Sequence, residues 1–128
     1  MVVDGGEITE SPRRTNAKGE IEIYKFGTEE VLLTLSREDY FRGFEEFKNS
    51  VIGLITSSGI KIESVNKHHP YERMLERGFQ LNDVIEALKT SKAVPATGHD
   101  TWSYPKGQMQ VIVNHSLKQL KTVMGPRT

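Results

Sequence analysis

The sequence predicts an α+β fold, with helices packed on a small antiparallel β-sheet, and three observations predict it. Apolar residues recur at helical spacing in three stretches, near 37–55, 70–77 and 82–89. Three strand-like segments follow, Thr101 to Tyr104, Met109 to Asn114 and Leu120 to Met124. The joints between them, Pro105-Lys106-Gly107 and His115-Ser116-Leu117-Lys118, are short enough for hairpins, so the strands form a meander. Helices first and an antiparallel meander last is an α+β order.

A chain of 128 residues with 36% hydrophobic and 27% charged side chains is sized for one domain, or a small domain with an appendage. It contains no cysteine, which excludes disulfide scaffolds, thiolate zinc sites and cysteine nucleophiles. No apolar run approaches the roughly 18 residues of a membrane span, so a membrane is not expected as a partner. Seventeen basic and seventeen acidic residues cancel, which argues against a wholly polybasic protein. The charge is nevertheless uneven: residues 1–60 carry 7 basic and 11 acidic side chains, residues 61–128 carry 10 and 6. The second half is the better candidate for meeting a polyanion, although a split of this size also arises by scatter.

The elements can be justified in order. Residues 1–19, with Gly5-Gly6, Ser11-Pro12-Arg13-Arg14 and only isolated aliphatics, read as a flexible tail that cannot offset its own ordering entropy. Ile21, Ile23 and Lys25 alternate with Glu22, Tyr24 and Phe26 as a short strand, turned by Gly27-Thr28 into a second, Val31 to Leu35. Ser36 with Asp39 resembles a capping box. It opens a helix whose stripe is Tyr40, Phe44, Phe47, Val51 and Leu54, widened by Phe41, Ile52 and Ile55. Ser57-Ser58-Gly59 should end that helix, and Ile60 to Val65 is expected as another strand. Pro70 suits a first helical turn and Gly78 a left-handed stop. Between them Tyr71, Met74 and Leu75 share one face, with Glu72, Arg73, Glu76 and Arg77 around the other. A further helix, Asn82 to Lys89, buries Val84, Ile85, Ala87 and Leu88.

The chemistry-bearing pattern is His69, Arg73 and Arg77 at i, i+4 and i+8, which places all three on one helical stripe about 6 Å apart axially. Guanidinium forks hold the non-bridging oxygens of a phosphodiester, and an imidazole moves a proton near neutral pH. The competing reading pairs Arg73 and Arg77 with Glu72, Glu76 or Asp83 on a solvated face, with Arg77 also favoured near a helix C-terminus.

The run His69-Pro70-Tyr71-Glu72-Arg73-Met74-Leu75-Glu76-Arg77-Gly78-Phe79, followed by Asp83-Val84 and Ala87-Leu88, resembles the H-x-x-x-R-M-x-x-R-G-I…D-V…A-L pattern of small toxin domains. These belong to the group related to barnase, the anticodon-cleaving colicins and RelE. The ending Val111-Ile112-Val113 and Leu120-Lys121-Thr122-Val123 resembles the group's closing strands. The Glu-Arg-Gly-aromatic run is similar to the helix junction of the colicin domains. The resemblance covers residues 65–126; Gln80-Leu81-Asn82 departs from it where a Ser or Thr cap is usual, although Asn82 could cap. It implies a metal-independent ribonuclease domain at 65–128, preceded by the 1–19 tail and an N-terminal extension at 20–64.

The resemblance further implies transesterification of RNA, with tRNA as the expected substrate and no cofactor. His69 would move the proton, Arg73 and Arg77 would brace the phosphate, Thr122 would donate a hydrogen bond, and Lys121 or Tyr104 would assist. It also implies delivery as part of a larger secreted toxin acting in the target-cell cytoplasm. The implied partner is a cognate immunity or antitoxin protein, expected to be acidic, with neither DNA nor membrane as partners. The alternative is a catalytically inactive RNA- or protein-binding module. If Leu120 and Met124 pack under the helices, strand alternation puts Thr122 between them, facing the stripe, while Lys121 points away. Trp102 and Tyr104 flank Ser103 and could stack on splayed bases, unless one is core. His99, beside Asp100 in a loop, could lie at the site mouth. His68, His69, His99 and His115 lack H-E-x-x-H or H-x-H spacing, so a metal site is not expected.

Overall fold

The computed structural model describes residues 3–4, 7–8, 12–25 and 27–126. In chain order the strands and helices are β1 (Val3–Asp4), β2 (Glu7–Ile8), β3 (Arg13–Thr15), β4 (Ile21–Tyr24), β5 (Val31–Leu35), α1 (Arg37–Val51) and β6 (Ser64–Val65). They continue with α2 (His69–Arg77), α3 (Leu81–Thr90), β7 (Val94–Pro95), β8 (Thr101–Lys106), β9 (Met109–Asn114) and β10 (Gln119–Met124). The architecture is α+β. A five-stranded sheet runs in the order β6-β10-β9-β8-β7, β3-β4-β5 form a second sheet, and β1-β2 pair separately.

The meander β8-β9-β10 stands as expected, and its two joints are hairpins. Lys106 pairs with Met109 around Gly107, whose φ of 59° suits a tight turn, and Asn114 pairs with Gln119. Of its two flanking strands, β7 was not expected from the sequence. Pro95 in β7 pairs on one edge, where a missing N–H is tolerated, and β6 joins the other edge parallel to β10. Of the strand expected at 60–65, only Ser64 and Val65 enter the sheet.

α1 begins as predicted, with the Ser36 hydroxyl accepting from the Asp39 N–H at 3.0 Å. Tyr40, Phe44, Phe47 and Val51 are its buried stripe, each contributing about 1.5–3 kcal/mol of apolar burial. The helix stops at Val51, earlier than Ser57-Ser58-Gly59. Gly53 takes a φ of 93°, and the chain folds back through bonds from Gly53 N–H to Ile62 O and from Ile62 N–H to Leu54 O. Ser57 to Gly59 therefore turn that loop instead, and Phe41, Ile52 and Ile55 stay exposed rather than widening the stripe. α2 ends at Gly78 in the left-handed conformation, with the Gly78 and Phe79 N–H groups returning to Leu75 O and Met74 O. The cap of α3 is Gln80 rather than Asn82, with the Asp83 carboxylate accepting from the Gln80 N–H.

One expectation about organisation changes. Within the stretch read as a tail, residues 13–15 form β3, paired with β4 in the register Arg13 to Ile23 and Thr15 to Ile21. The ordering is carried by partners distant in sequence, described below. The remaining tail residues 1–2, 5–6 and 9–11, and Phe26 of the first predicted strand, lie outside the described residues. One core cluster, moreover, joins Ile21, Ile23, Tyr40, Phe44 and Phe47 to Met74, Leu88, Tyr104, Val111, Val113, Leu120 and Val123. Residues 20–64 and 65–126 thus share a core. Gly43 sets the approach of α2 to α1: a Cβ there would collide with the Tyr71 hydroxyl, which donates to the Tyr40 carbonyl oxygen at 2.9 Å.

Candidate active site

α2 packs chiefly on β10, and this brings the first predicted pair together. His69 opens α2, and its Nε2 lies 3.1 Å from Thr122 Oγ1 on β10, across 53 residues of sequence. The route differs from the predicted one. β10 bulges between Leu120, opposite Val113, and Thr122, opposite Ile112, so Lys121 is an inserted residue. The inserted residue breaks the alternation: Leu120 and Val123 are buried, while Met124 is exposed. Met124 therefore does not pack under the helices, and Thr122 does not sit in a Leu120–Met124 row. The bulge also changes the setting of Lys121, whose carbonyl oxygen accepts from Asn66 Nδ2 at 3.4 Å.

Arg73 and Arg77 follow His69 at one and two turns, and the carboxylate between them is buried rather than solvated. Glu76 is 3% exposed. Its Oε1 accepts from an Arg73 terminal nitrogen at 2.6 Å and lies 3.7 Å from Arg77 Nε. The Arg73 and Arg77 side chains are 20% and 28% exposed. The pairing reading is thus correct for Glu76, but the face is not a fully solvated one. Two cations flank this buried anion on the helix that carries His69.

A second buried carboxylate, also expected on the polar face, anchors the other side of α2. Glu72 is 1% exposed, accepts from the Tyr40 hydroxyl and lies 3.2 Å from Arg13 Nε. Arg13 also donates to the Tyr40 oxygen at 3.0 Å, and His68 Nδ1 is 2.9 Å from the same oxygen. The same His68 nitrogen also lies 3.4 Å from an Arg13 terminal nitrogen, so His68, Tyr40, Arg13 and Glu72 form one network. The His68 ring stacks on Phe44 with centroids 4.0 Å apart. Burial, with Arg13 nearby, holds the His68 imidazole below its usual pKa. Burial likewise pushes the Glu72 carboxyl up, against the opposing pull of Tyr40 and Arg13, and pushes the Tyr40 and Tyr71 phenols up, Tyr71 to about 12. His68 and His69 are adjacent in sequence and opposite in setting, one locked behind α2 and one meeting β10.

The remaining predicted substrate contacts lie elsewhere. Tyr104 is fully buried, its hydroxyl 2.9 Å from Thr56 Oγ1 and 2.8 Å from His115 Nε2, so it is core rather than a substrate contact. Trp102 is half-buried on β8, separated from β10 by β9, and donates from Nε1 to Asp100 Oδ1 at 3.1 Å. His99 is exposed, and its carbonyl oxygen accepts from Thr101 and Asn114. The sequence reading missed Arg13, Tyr40, His68 and Glu72 as a set. Its one local signal was the i, i+4 spacing of His68 and Glu72.

Among the described residues, no three His, Asp or Glu side chains come together as a metal-binding group, and no helix is long and apolar enough to cross a membrane. The fold and site thus define an α+β chain with a helix-borne His-Arg-Arg stripe set against a strand threonine. Comparison with protein-family models, with curated proteins and with solved structures finds no match to the chain.

Proposed function

We propose that this protein is a metal-independent endoribonuclease toxin of the RelE and colicin-ribonuclease kind, acting on RNA and most readily on tRNA. The observation that carries the reading is the 3.1 Å approach of His69 Nε2 to Thr122 Oγ1, with Arg73 and Arg77 following along the same helix. In the reaction the ribose 2′-oxygen loses its proton and bonds to the adjacent phosphorus. The bond to the 5′-oxygen breaks, and that oxygen takes up a proton, leaving a 2′,3′-cyclic phosphate and a 5′-hydroxyl. His69 transfers a proton, and Thr122 orients its ring through Nε2. Arg73 and Arg77 offset charge on the phosphorane, their forks held in place by Glu76, and Lys121, on the β10 bulge, would assist.

A cytoplasmic ribonuclease endangers its producer, so the reading carries with it an acidic immunity protein that plugs this cationic face. It also carries delivery within a larger secreted protein into the cytoplasm of a target cell. A second reading, an RNA- or protein-binding module without catalysis, is favoured by the burial of Glu76 between the two arginines. Incubating purified protein with total tRNA in EDTA separates them. Discrete fragments ending in cyclic phosphate support the enzyme, and intact tRNA that stays bound supports the module.

A further inference from the structure

At the far end of β8 a second group of side chains is organised in a way the core does not require. Trp102 and His115 stack with centroids 5.3 Å apart and planes within 9° of parallel, both half-exposed. Each ring is held from its edge. Trp102 Nε1 donates to Asp100 Oδ1, while Asp100 Oδ2 accepts from the Ser116 hydroxyl. His115 Nε2 meets the buried Tyr104 hydroxyl, itself joined to Thr56. The backbone is committed too: the His115 N–H donates to Asp100 O at 2.9 Å, and Asp100, which is not glycine, takes a φ of 49°. Left-handed non-glycine residues cost energy and concentrate where a side chain must be placed.

We propose that Trp102 and His115 form a preorganised stacking platform for an unpaired nucleobase of RNA. Two parallel rings, stacked on one another and held through Asp100, Ser116, Tyr104 and Thr56, offer a pre-oriented outer ring face at low ordering cost, which is what base stacking rewards. The neighbouring charge selects the base over the backbone. Hydrogen bonds from Ser116 and Trp102 hold the exposed Asp100 carboxyl below its usual pKa, so an anion sits at the rim, unfavourable to phosphate and ready to accept from a base N–H. The platform rests on the ribonuclease reading only for the identity of the polymer.

Trp102 is the single tryptophan of the chain, so its fluorescence reports on the platform directly. The probes are a short 2′-O-methyl oligoribonucleotide, which cannot undergo transesterification, and its abasic counterpart. The expected result is saturable quenching by the first and none by the second. Measured by anisotropy of the labelled oligonucleotide, binding should weaken about tenfold in His115→Ala and in Trp102→Leu, and Trp102→Phe should largely restore it. Equal quenching by both probes, no quenching, or unchanged binding in folded variants overturns the platform. Because the probe is uncleavable, cleavage of natural tRNA without quenching would retain the ribonuclease and remove the platform. Quenching without cleavage would do the reverse.

Discussion

Replacing Arg13 with alanine tests whether a residue from a stretch that reads as a tail holds helix α2 in place. Arg13 Nε lies 3.2 Å from Glu72, whose carboxylate is almost wholly buried, and a second Arg13 nitrogen donates to the Tyr40 hydroxyl. Stripping one partner from a buried ion pair costs about 3–5 kcal/mol, because the other charge is left in a poor solvent. The Arg13 side chain is 35% exposed, so water already screens part of the interaction. A loss of about 2–3 kcal/mol is therefore expected. For a chain of this length that lowers the melting temperature by about 8–12 °C.

The loss should depend on pH in a definite direction. Burial raises the Glu72 pKa in the folded protein. Between the unfolded and folded values the native state binds more protons, so this group's contribution to stability falls as pH rises through that window. Removing Arg13 carries the window higher, making the variant's deficit larger at pH 8 than at pH 5. Adding Glu72→Gln should recover most of the loss at pH 8, because a neutral amide needs no counter-ion. Thermal melts followed by circular dichroism at the two pH values measure all of this. A loss under about 1 kcal/mol, or one equal at pH 5 and pH 8, would refute the buried-carboxylate argument.

Two further outcomes follow from the adjacent histidines. His69→Ala should cut tRNA cleavage by about 10²- to 10⁴-fold with little change in melting temperature; a melt lowered by many degrees would mark the residue as structural. His68, held below its usual pKa, must take up a proton on unfolding as pH drops below the ordinary histidine value, so it contributes a decline in stability from about pH 6.5 downward. The fall in melting temperature between pH 7 and pH 5 should be shallower in His68→Phe than in the parent, and an identical slope counts against the buried neutral imidazole.

The sequence by itself determined the elements whose causes are local. The Ser36 cap, the Tyr40-Phe44-Phe47-Val51 stripe, the glycine stop at Gly78 and the meander joints each depend on residues within a turn or two of one another. It also placed His69, Arg73 and Arg77 on one stripe, because helical spacing alone does that. Strand alternation and charge partners are not local in this way. Thr122 meets His69 from a β10 that carries an inserted Lys121, a two-to-one register with β9 that the β10 residues alone do not encode. Glu72 and Glu76 look like solvated helix residues until β3, α1 and β10 cover them. Their burial was then decided by which cations the fold supplied, Arg13 from about sixty residues upstream and Arg73 from the next turn. Tyr104 and His115 follow the same logic: a ring becomes core or platform according to what packs against it. Tertiary structure alone settles that, since burial and pairing are properties of the neighbours rather than of the residue.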